Sequence, residues 1–140
     1  MVGMDYGYLR RPGARTLDEV CGLYRAAGWW GRQDDRGRLR RIISGSHCFL
    51  VARHSGRIVG MGRALSDRAN DAYIQDVFVA PEYRGRDIGA AMVRRLVRRL
   101  RADGLRWIGL IAATGTPPFY KRLGFRGMPG YAPMLAYKGY

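Results

Sequence analysis

The sequence predicts one mixed α/β domain, residues 1–140, in which a sheet and helices pack in layers. Three observations support this fold class. Runs rich in β-branched and aromatic residues alternate with runs whose apolar residues recur every three or four positions. Two strands around Ser55-Gly56 form a hairpin. A third strand leads through a short loop into a long amphipathic helix, which gives the order β-α-α-β-β-β-α-β-α-β.

The first third of the chain contains a short strand and two helices. The strand is predicted over residues 6–10, before the breaking sequence Arg11-Pro12-Gly13. Thr16 is a suitable N-cap for the first helix, and Gly28 is a suitable end. A second helix is predicted over residues 35–43.

Five further strands and two helices follow. The hairpin strands cover residues 47–53 and 57–65, and the next strand covers 73–79 and stops before Pro81. A helix then runs from about Gly89 to Asp103-Gly104. Residues 107–112 form an apolar run that is typical of a central strand buried on both faces. A short helix after Thr116 ends at Gly124, and residues 132–137 form the last strand.

The net charge of +14, mostly from arginine, favours a polyanionic partner such as nucleic acid, a phosphorylated cofactor or an acidic surface. No nucleic-acid-binding motif accompanies this charge. Cys21 and Cys48 have no CxxC spacing, which favours two free thiols over a disulfide or a metal-binding pair. We interpret His47 and His54 as structural, and no metal site is predicted. No apolar run has membrane-spanning length and no signal peptide is evident, so we expect a soluble cytoplasmic protein with no membrane contact.

The stretch from Ile74 to Gly89 is the most informative part of the sequence. A loop that enters a helix N-terminus presents unpaired backbone N–H groups, which bind anions such as a diphosphate. Arg84 and Arg86 add positive charge, and Gly85 leaves room for close approach of a ligand. The alternative interpretation is an ordinary strand–turn–helix connection with a solvated loop.

Two motifs together make the chain resemble the GCN5-related N-acetyltransferase (GNAT) superfamily. One is the loop Arg84-Gly85-Arg86-Asp87-Ile88-Gly89, and the other is Phe119-Tyr120-Lys121-Arg122-Leu123-Gly124-Phe125. The hairpin, the pairs Gly28-Trp29 and Ser66-Asp67, and the element order match over residues 5–138. The resemblance implies a small single-domain member with a mostly antiparallel central sheet, flanked by helices, whose central parallel strands splay apart.

The resemblance implies acetyl-CoA as the cofactor, with its pantetheine arm along one strand and its diphosphate on the loop. The implied contacts are Val77, Phe78 and Val79 for the arm, and Arg84, Gly85, Arg86, Asp87, Ile88, Gly89 and Ala90 for the diphosphate.

Two positions depart from the family pattern. Asp87 replaces a motif glycine, and its carboxylate either turns away from the diphosphate or acts as the helix N-cap, which is the alternative we favour. Ala113 replaces an Asn that many relatives carry, so a hydrogen bond to the pantetheine arm is absent or comes from Thr114.

The implied reaction is direct attack of an amine on the thioester. By resemblance Tyr120 is the acid that protonates the leaving thiolate, and the backbone N–H of Val79 or of a neighbouring residue polarises the carbonyl. Asp76 is either a base that acts through water or an anchor of the sheet against Arg63 or a helix. Asp67 is an alternative base, and an amine that arrives neutral needs none. Strict alternation places Gln75 and Val77 on one face of the strand, unless a bulge intervenes.

The amine site is expected between the tryptophan pair, the second helix and the last strand. Its candidate residues, each with packing as the alternative role, are Trp29, Trp30, Tyr73, Gln75 and Tyr137. The predicted function is acetylation of a primary amine, either a small molecule or a peptide α-amine. The alternatives are a catalytically silent CoA-binding module and a basic protein associated with nucleic acid or ribosomes. A homodimer is compatible with the resemblance.

Overall fold

A computed structural model describes residues 3–137. In chain order the elements are β1 (Met4–Tyr8), α1 (Ala14–Ala26), α2 (Arg36–Gly45), β2 (Cys48–His54), β3 (Arg57–Ser66), β4 (Asp71–Val79), α3 (Ile88–Ala102), β5 (Trp107–Leu110) and α4 (Pro117–Arg122). A 3-10 turn, Pro81–Tyr83, separates β4 from α3. None of the helices within residues 3–137 is long and apolar enough to cross a bilayer.

The five strands form one sheet in the order β1-β2-β3-β4-β5. The first four strands pair antiparallel with their neighbours, whereas β5 runs parallel to β4. The β2–β3 hairpin turns at Ser55 and Gly56, whose φ values of 51° and 78° are those of a tight type I′ turn. The predicted mixed, mostly antiparallel sheet is therefore confirmed.

Helices α1 and α2 cover one face of the sheet and form the main hydrophobic core. Apolar side chains of both helices meet inward-facing side chains of β2, β3 and β4 there, and each large one that is buried stabilises the fold by ~1.5–3 kcal/mol. The cluster includes Leu17, Val20, Tyr24, Leu39, Ile43, Phe49, Val51, Met61 and Phe78.

Helix α3 covers the opposite face, where two glycines of β3 allow close approach. A Cβ atom added to Gly62 would lie 3.2 Å from Cδ1 of Leu96. One added to Gly60 would lie 3.0 Å from Cε of Met92. Because such contacts are tighter than ordinary packing, a side chain at either position would force the Met92 or Leu96 side chain to shift.

The described chain divides into two units, one that ends at Leu110 and one that begins at Ile111. The first unit contains the sheet and α1 to α3. The second contains α4 and the C-terminal segment.

Two predictions about the last strands are wrong. Strand β5 ends at Leu110 and forms the edge of the described sheet, with Trp107 37 % exposed, so it is not buried on both faces. Residues 132–137 form no strand, and 96 % of the Tyr137 surface is exposed. An apolar run forms a strand only where a neighbouring strand pairs with it, and none of the described strands pairs with this one.

Candidate functional site

The strand β4 contains a β-bulge at Asp76. Met61 pairs with Phe78 and Arg63 pairs with Gln75, so Asp76 and Val77 together lie opposite Gly62. Asp76 has a φ of 56°, the left-handed conformation that most residues avoid.

The bulge changes which side chains share a face of β4. Val77 lies beside Leu96 at the α3 face, whereas Phe78 packs in the core of α1 and α2. Gln75 shares the Phe78 face, because its amide oxygen accepts a hydrogen bond from Arg63, which also reaches Ser46 at the end of α2. Strict alternation along this strand is therefore wrong beyond Gln75.

Two side chains hold Asp76 in this conformation. The Tyr24 hydroxyl donates a hydrogen bond of 2.8 Å to Oδ2 of Asp76, and Nε of Arg63 donates one of 2.6 Å to the same oxygen. Burial, and secondly the Asp76 carboxylate, raise the pKa of Tyr24 well above its ordinary value, so the hydroxyl remains a donor at neutral pH. Asp76 therefore makes the contact with Arg63 that its predicted anchoring role requires.

The tryptophan pair packs next to this hydrogen-bonded cluster. Trp30 stacks on Tyr24 with ring centroids 4.3 Å apart. Trp29 makes edge-to-face contacts with Tyr24 and Phe78, with ring centroids 6.2 and 5.9 Å apart. Trp30 is half-buried, while Trp29 is 51 % exposed and offers an aromatic surface to solvent. Tyr73 lies further along β4 and packs on Trp107 at 5.0 Å.

Beyond the point where its pairing with β5 ends, one edge of β4 is open, without a partner among the strands within residues 3–137. The described register ends with Ile74 opposite Leu110. The Ala80 N–H donates to the Val59 carbonyl on the β3 side, so the preceding N–H and C=O groups, those of Val79, point to the opposite, open edge. Nε of Arg84 donates to the Val79 carbonyl at 2.9 Å, which leaves the Val79 N–H directed to that edge.

The loop after β4 leads directly into the N-terminus of α3. The first backbone bond of the helix runs from the Ala91 N–H to the Asp87 carbonyl, so the N–H groups of Ile88, Gly89 and Ala90 have no acceptor within their own helix. Gly85 has a φ of 78° and no atom within 4 Å of a Cβ added there. The loop is therefore shaped to accept an anion at close range.

The charged residues of this loop make specific contacts. The Arg84 guanidinium lies 5.2 Å from the centre of the Phe78 ring, and that of Arg86 lies 5.1 Å from the centre of Tyr83. Asp87 occupies the N-cap position with a φ of 64°, but its side chain makes no capping bond. The carboxylate is 74 % exposed and pairs with Arg94 at 3.4 Å. The favoured N-cap explanation is therefore wrong, and the carboxylate turns towards Arg94 instead.

The second unit contains the tyrosine motif. α4 begins at Pro117, and Thr116 precedes it as predicted, although its hydroxyl donates to the Ala113 carbonyl instead of capping the helix. The Tyr120 ring makes edge contacts with Phe119 and Phe125 at 4.9 and 5.7 Å. Burial raises the pKa of Tyr120, so its hydroxyl is protonated at neutral pH. Thr114 is exposed in the turn before α4.

Comparison with known protein families identifies the family of this chain. The profile of the Acetyltransferase (GNAT) family matches residues 16–125. The chain belongs to the GNAT family. The match includes the bulged strand, the anion-binding loop and the tyrosine motif, so the predicted family is confirmed.

Relatives and a solved structure agree with this assignment. GCN5-related N-acetyltransferase 2, chloroplastic, of Arabidopsis thaliana is 44 % identical over 52 % of this chain and 28 % of its own length. Serotonin N-acetyltransferase 2, chloroplastic, of Oryza sativa subsp. japonica is 33 % identical over 92 % of this chain and 64 % of its own. A predicted acetyltransferase of Clostridium acetobutylicum, crystallised with acetyl-CoA, has a TM-score of 0.74 at 19 % identity, over 97 % of this chain and 98 % of its own.

These relatives also limit what can be carried over. The chain spans less than two thirds of the length of both plant relatives. Both are named as chloroplastic, which contradicts the cytoplasmic location expected from the sequence. That expectation relied on the lack of a recognisable targeting segment, and such an absence does not determine where a protein acts.

Sequence reasoning missed the part that Tyr24 takes in this GNAT site. Tyr24 lies on the buried, apolar face of α1. A buried tyrosine hydroxyl needs a hydrogen-bond partner, and this was the one available signal. The distance of 52 positions between Tyr24 and Asp76 kept that partner hidden in the sequence.

We predict that Tyr24→Phe lowers the free energy of unfolding by about 1–3 kcal/mol, because it removes a buried donor from a carboxylate. The matched control is Tyr8→Phe, whose hydroxyl donates to the Arg95 carbonyl at an exposed position, and its cost should stay below ~1 kcal/mol. Urea unfolding measures both. Equal losses in the two variants would show that the Tyr24 hydroxyl does not support the bulge.

Proposed function

We propose that this protein is an acetyl-CoA-dependent N-acetyltransferase that transfers an acetyl group to a primary amine, either a small molecule or a peptide α-amine. The observation that carries the proposal is the open edge of β4, which leads into three helix N–H groups without intrahelical acceptors. In a GNAT chain these features suit an extended thioester arm followed by a diphosphate.

The described residues fit acetyl-CoA in shape and in hydrogen bonding. A pantetheine arm carries amides, which can pair with a free strand edge as an added strand does. We assign this role to the backbone of Val77, Phe78 and Val79. The diphosphate is assigned to the loop N–H groups at the positive end of α3, and the Clostridium structure supports the choice of ligand.

The Arg84 side chain and the Asp87 carboxylate are the two features that oppose this fit. Arg84 donates a hydrogen bond to the Val79 carbonyl, and this bond would have to break before the arm could pair with that oxygen. Asp87 places a negative charge at the N-terminus of α3, although it pairs with Arg94. Both features weaken binding without closing the site, because neither takes the N–H groups of the strand edge or of the helix.

When bound, acetyl-CoA supplies a thioester that an amine can attack directly. We assign Tyr120 as the proton donor to the departing sulfur, on the basis of the family motif and its protonated hydroxyl. The Val79 N–H is assigned to polarise the acetyl carbonyl. Asp76 already accepts bonds from Arg63 and Tyr24, which favours the anchoring role over the base role.

We further propose that the amine is an arylalkylamine or an alkylamine. Trp29 exposes an aromatic surface beside the β4 bulge, and the Gln75 amide lies on the same face of that strand. The name of the rice relative, a serotonin N-acetyltransferase, supports an aromatic amine. Trp30, Tyr73, Thr114 and Tyr137 remain predictions from the sequence for ligand contacts.

Calorimetric titration with acetyl-CoA tests the cofactor site. We expect one-to-one binding to the wild type and no measurable binding to Gly89→Glu, which adds bulk and negative charge at the diphosphate seat. Asp87→Asn should bind about three- to tenfold more tightly, because it removes a like charge near the phosphates. Gly22→Glu, the same substitution at an exposed position of α1, is the matched control. Absence of wild-type binding, or equal losses in both glutamate variants, would refute the proposal.

A transfer assay with serotonin as the acceptor tests the chemistry. Tyr120→Phe should lower kcat by about 10²- to 10⁴-fold with little change in acetyl-CoA affinity, because general acid catalysis is lost and binding is not. Tyr131→Phe, an exposed tyrosine in the same unit, should behave as the wild type. Full activity of Tyr120→Phe would remove this residue from the mechanism.

A further inference from the structure

The first unit contains a second positively charged feature, separate from the loop before α3. An open cavity of ≈ 380 Å³ lies among the end of β1, the end of α2, the start of β2 and the last turns of α3. Four of its lining residues are arginines, and none of the lining residues is acidic; the arginines are Arg10, Arg11, Arg68 and Arg99. Arg99 follows Ile88 by eleven positions, which is about 16 Å along the axis of α3.

The loop that presents Arg68 is fixed by its own hydrogen bonds. Oδ1 of Asp67 accepts bonds from the backbone N–H groups of Ala69, Asn70 and Asp71, at 2.8, 2.7 and 3.0 Å. These bonds lower the pKa of Asp67, so its carboxylate remains charged and keeps the loop folded.

Arg68 itself has a strained backbone within this loop. Its φ of 62° is left-handed, and its N–H donates to Oγ of Ser66 at 3.0 Å. A non-glycine residue in this conformation persists only where its surroundings enforce it. The loop therefore holds Arg68 at the cavity at some cost in stability.

The wall of the cavity is also ordered by polar contacts. The His47 side chain is only 6 % exposed, with Nδ1 2.6 Å from Oγ of Ser66 and Nε2 2.7 Å from Oδ2 of Asp103. Nε of Arg99 donates to the same oxygen at 2.8 Å, and its guanidinium lies 4.8 Å from the centre of the Tyr8 ring. Arg99 is therefore held at the cavity before any ligand arrives.

We propose that this cavity binds a small phosphate-bearing molecule. Guanidinium groups recognise phosphate oxygens through paired N–H donors. The cavity has four of them, of which Arg99 is paired with Asp103, and this excess of positive charge favours a multiply charged oxyanion. Its volume lies at the lower end of the ~300–1,000 Å³ that is usual for small-molecule sites. Leu9 and Ile43 supply apolar surface for an organic group attached to the phosphate. This site is independent of acetyl transfer.

Titration of the isotope-labelled protein with inorganic pyrophosphate, at constant ionic strength, tests the proposal. Backbone amide shifts distinguish the two anion sites, because His47 and Arg68 report on the cavity, and Ile88 and Gly89 report on the loop before α3. We expect saturable shifts at the cavity that persist in Gly89→Glu. Arg68→Gln and Arg11→Gln should each weaken cavity binding about tenfold, since each removes a charged donor from the anion.

The control is Arg15→Gln, an exposed arginine of α1 outside the cavity, which should leave the affinity unchanged. Shifts that do not saturate, or equal weakening by Arg15→Gln, would show only general attraction to a basic protein and would overturn the proposal. A titration with single-stranded RNA distinguishes a small-molecule site from part of a nucleic-acid-binding surface. If RNA displaces pyrophosphate and shifts amides along α3 around Arg94 and Arg98, the cavity belongs to a nucleic-acid surface, and the small-molecule proposal is wrong.

Discussion

The bulge at Asp76, held by Tyr24 and Arg63, is the constraint on which the candidate site depends. One extra residue in β4 turns Val77 towards α3 and Phe78 towards the core of α1 and α2. The same carboxylate connects this strand to α1 through Tyr24 and to β3 through Arg63. Without these two donors nothing would offset the cost of a left-handed aspartate in the middle of a strand, and we expect that β4 would return to regular alternation.

Backbone strain in this protein is concentrated at the features to which we assign function. Four described non-glycine residues have positive φ, and three of them lie at the bulge, at the start of α3 and at the arginine-lined cavity; these three are Asp76, Asp87 and Arg68. The fourth, Ser55, belongs to a hairpin turn whose geometry requires that conformation. Left-handed conformations at residues other than glycine cost stability, so their placement is consistent with binding sites.

The sequence predicted the parts of the fold that local chemistry determines. Periodicity and turn residues located the hairpin, the long helix and the loop at Gly85, because each of these follows from neighbouring residues. The pairing of Tyr24 with Asp76 joins positions far apart in the chain, and no local pattern reports it. The predicted strand at residues 132–137 failed for a related reason, since a strand depends on a partner and not only on its own residues. Asp87 occupies the N-cap position of α3, but its side chain does not make the capping hydrogen bond that was predicted.

We propose that the edge of β4 beyond its pairing with β5 binds the pantetheine arm of acetyl-CoA as an added strand would. Amide hydrogen exchange at Val79, followed by NMR with and without acetyl-CoA, tests whether this pairing forms. The Val79 N–H points to the open edge, so we expect fast exchange in the free protein and marked protection in the complex, while the Ala80 N–H, bonded to Val59, stays protected in both. Saturating acetyl-CoA that leaves the Val79 exchange rate unchanged would contradict the account.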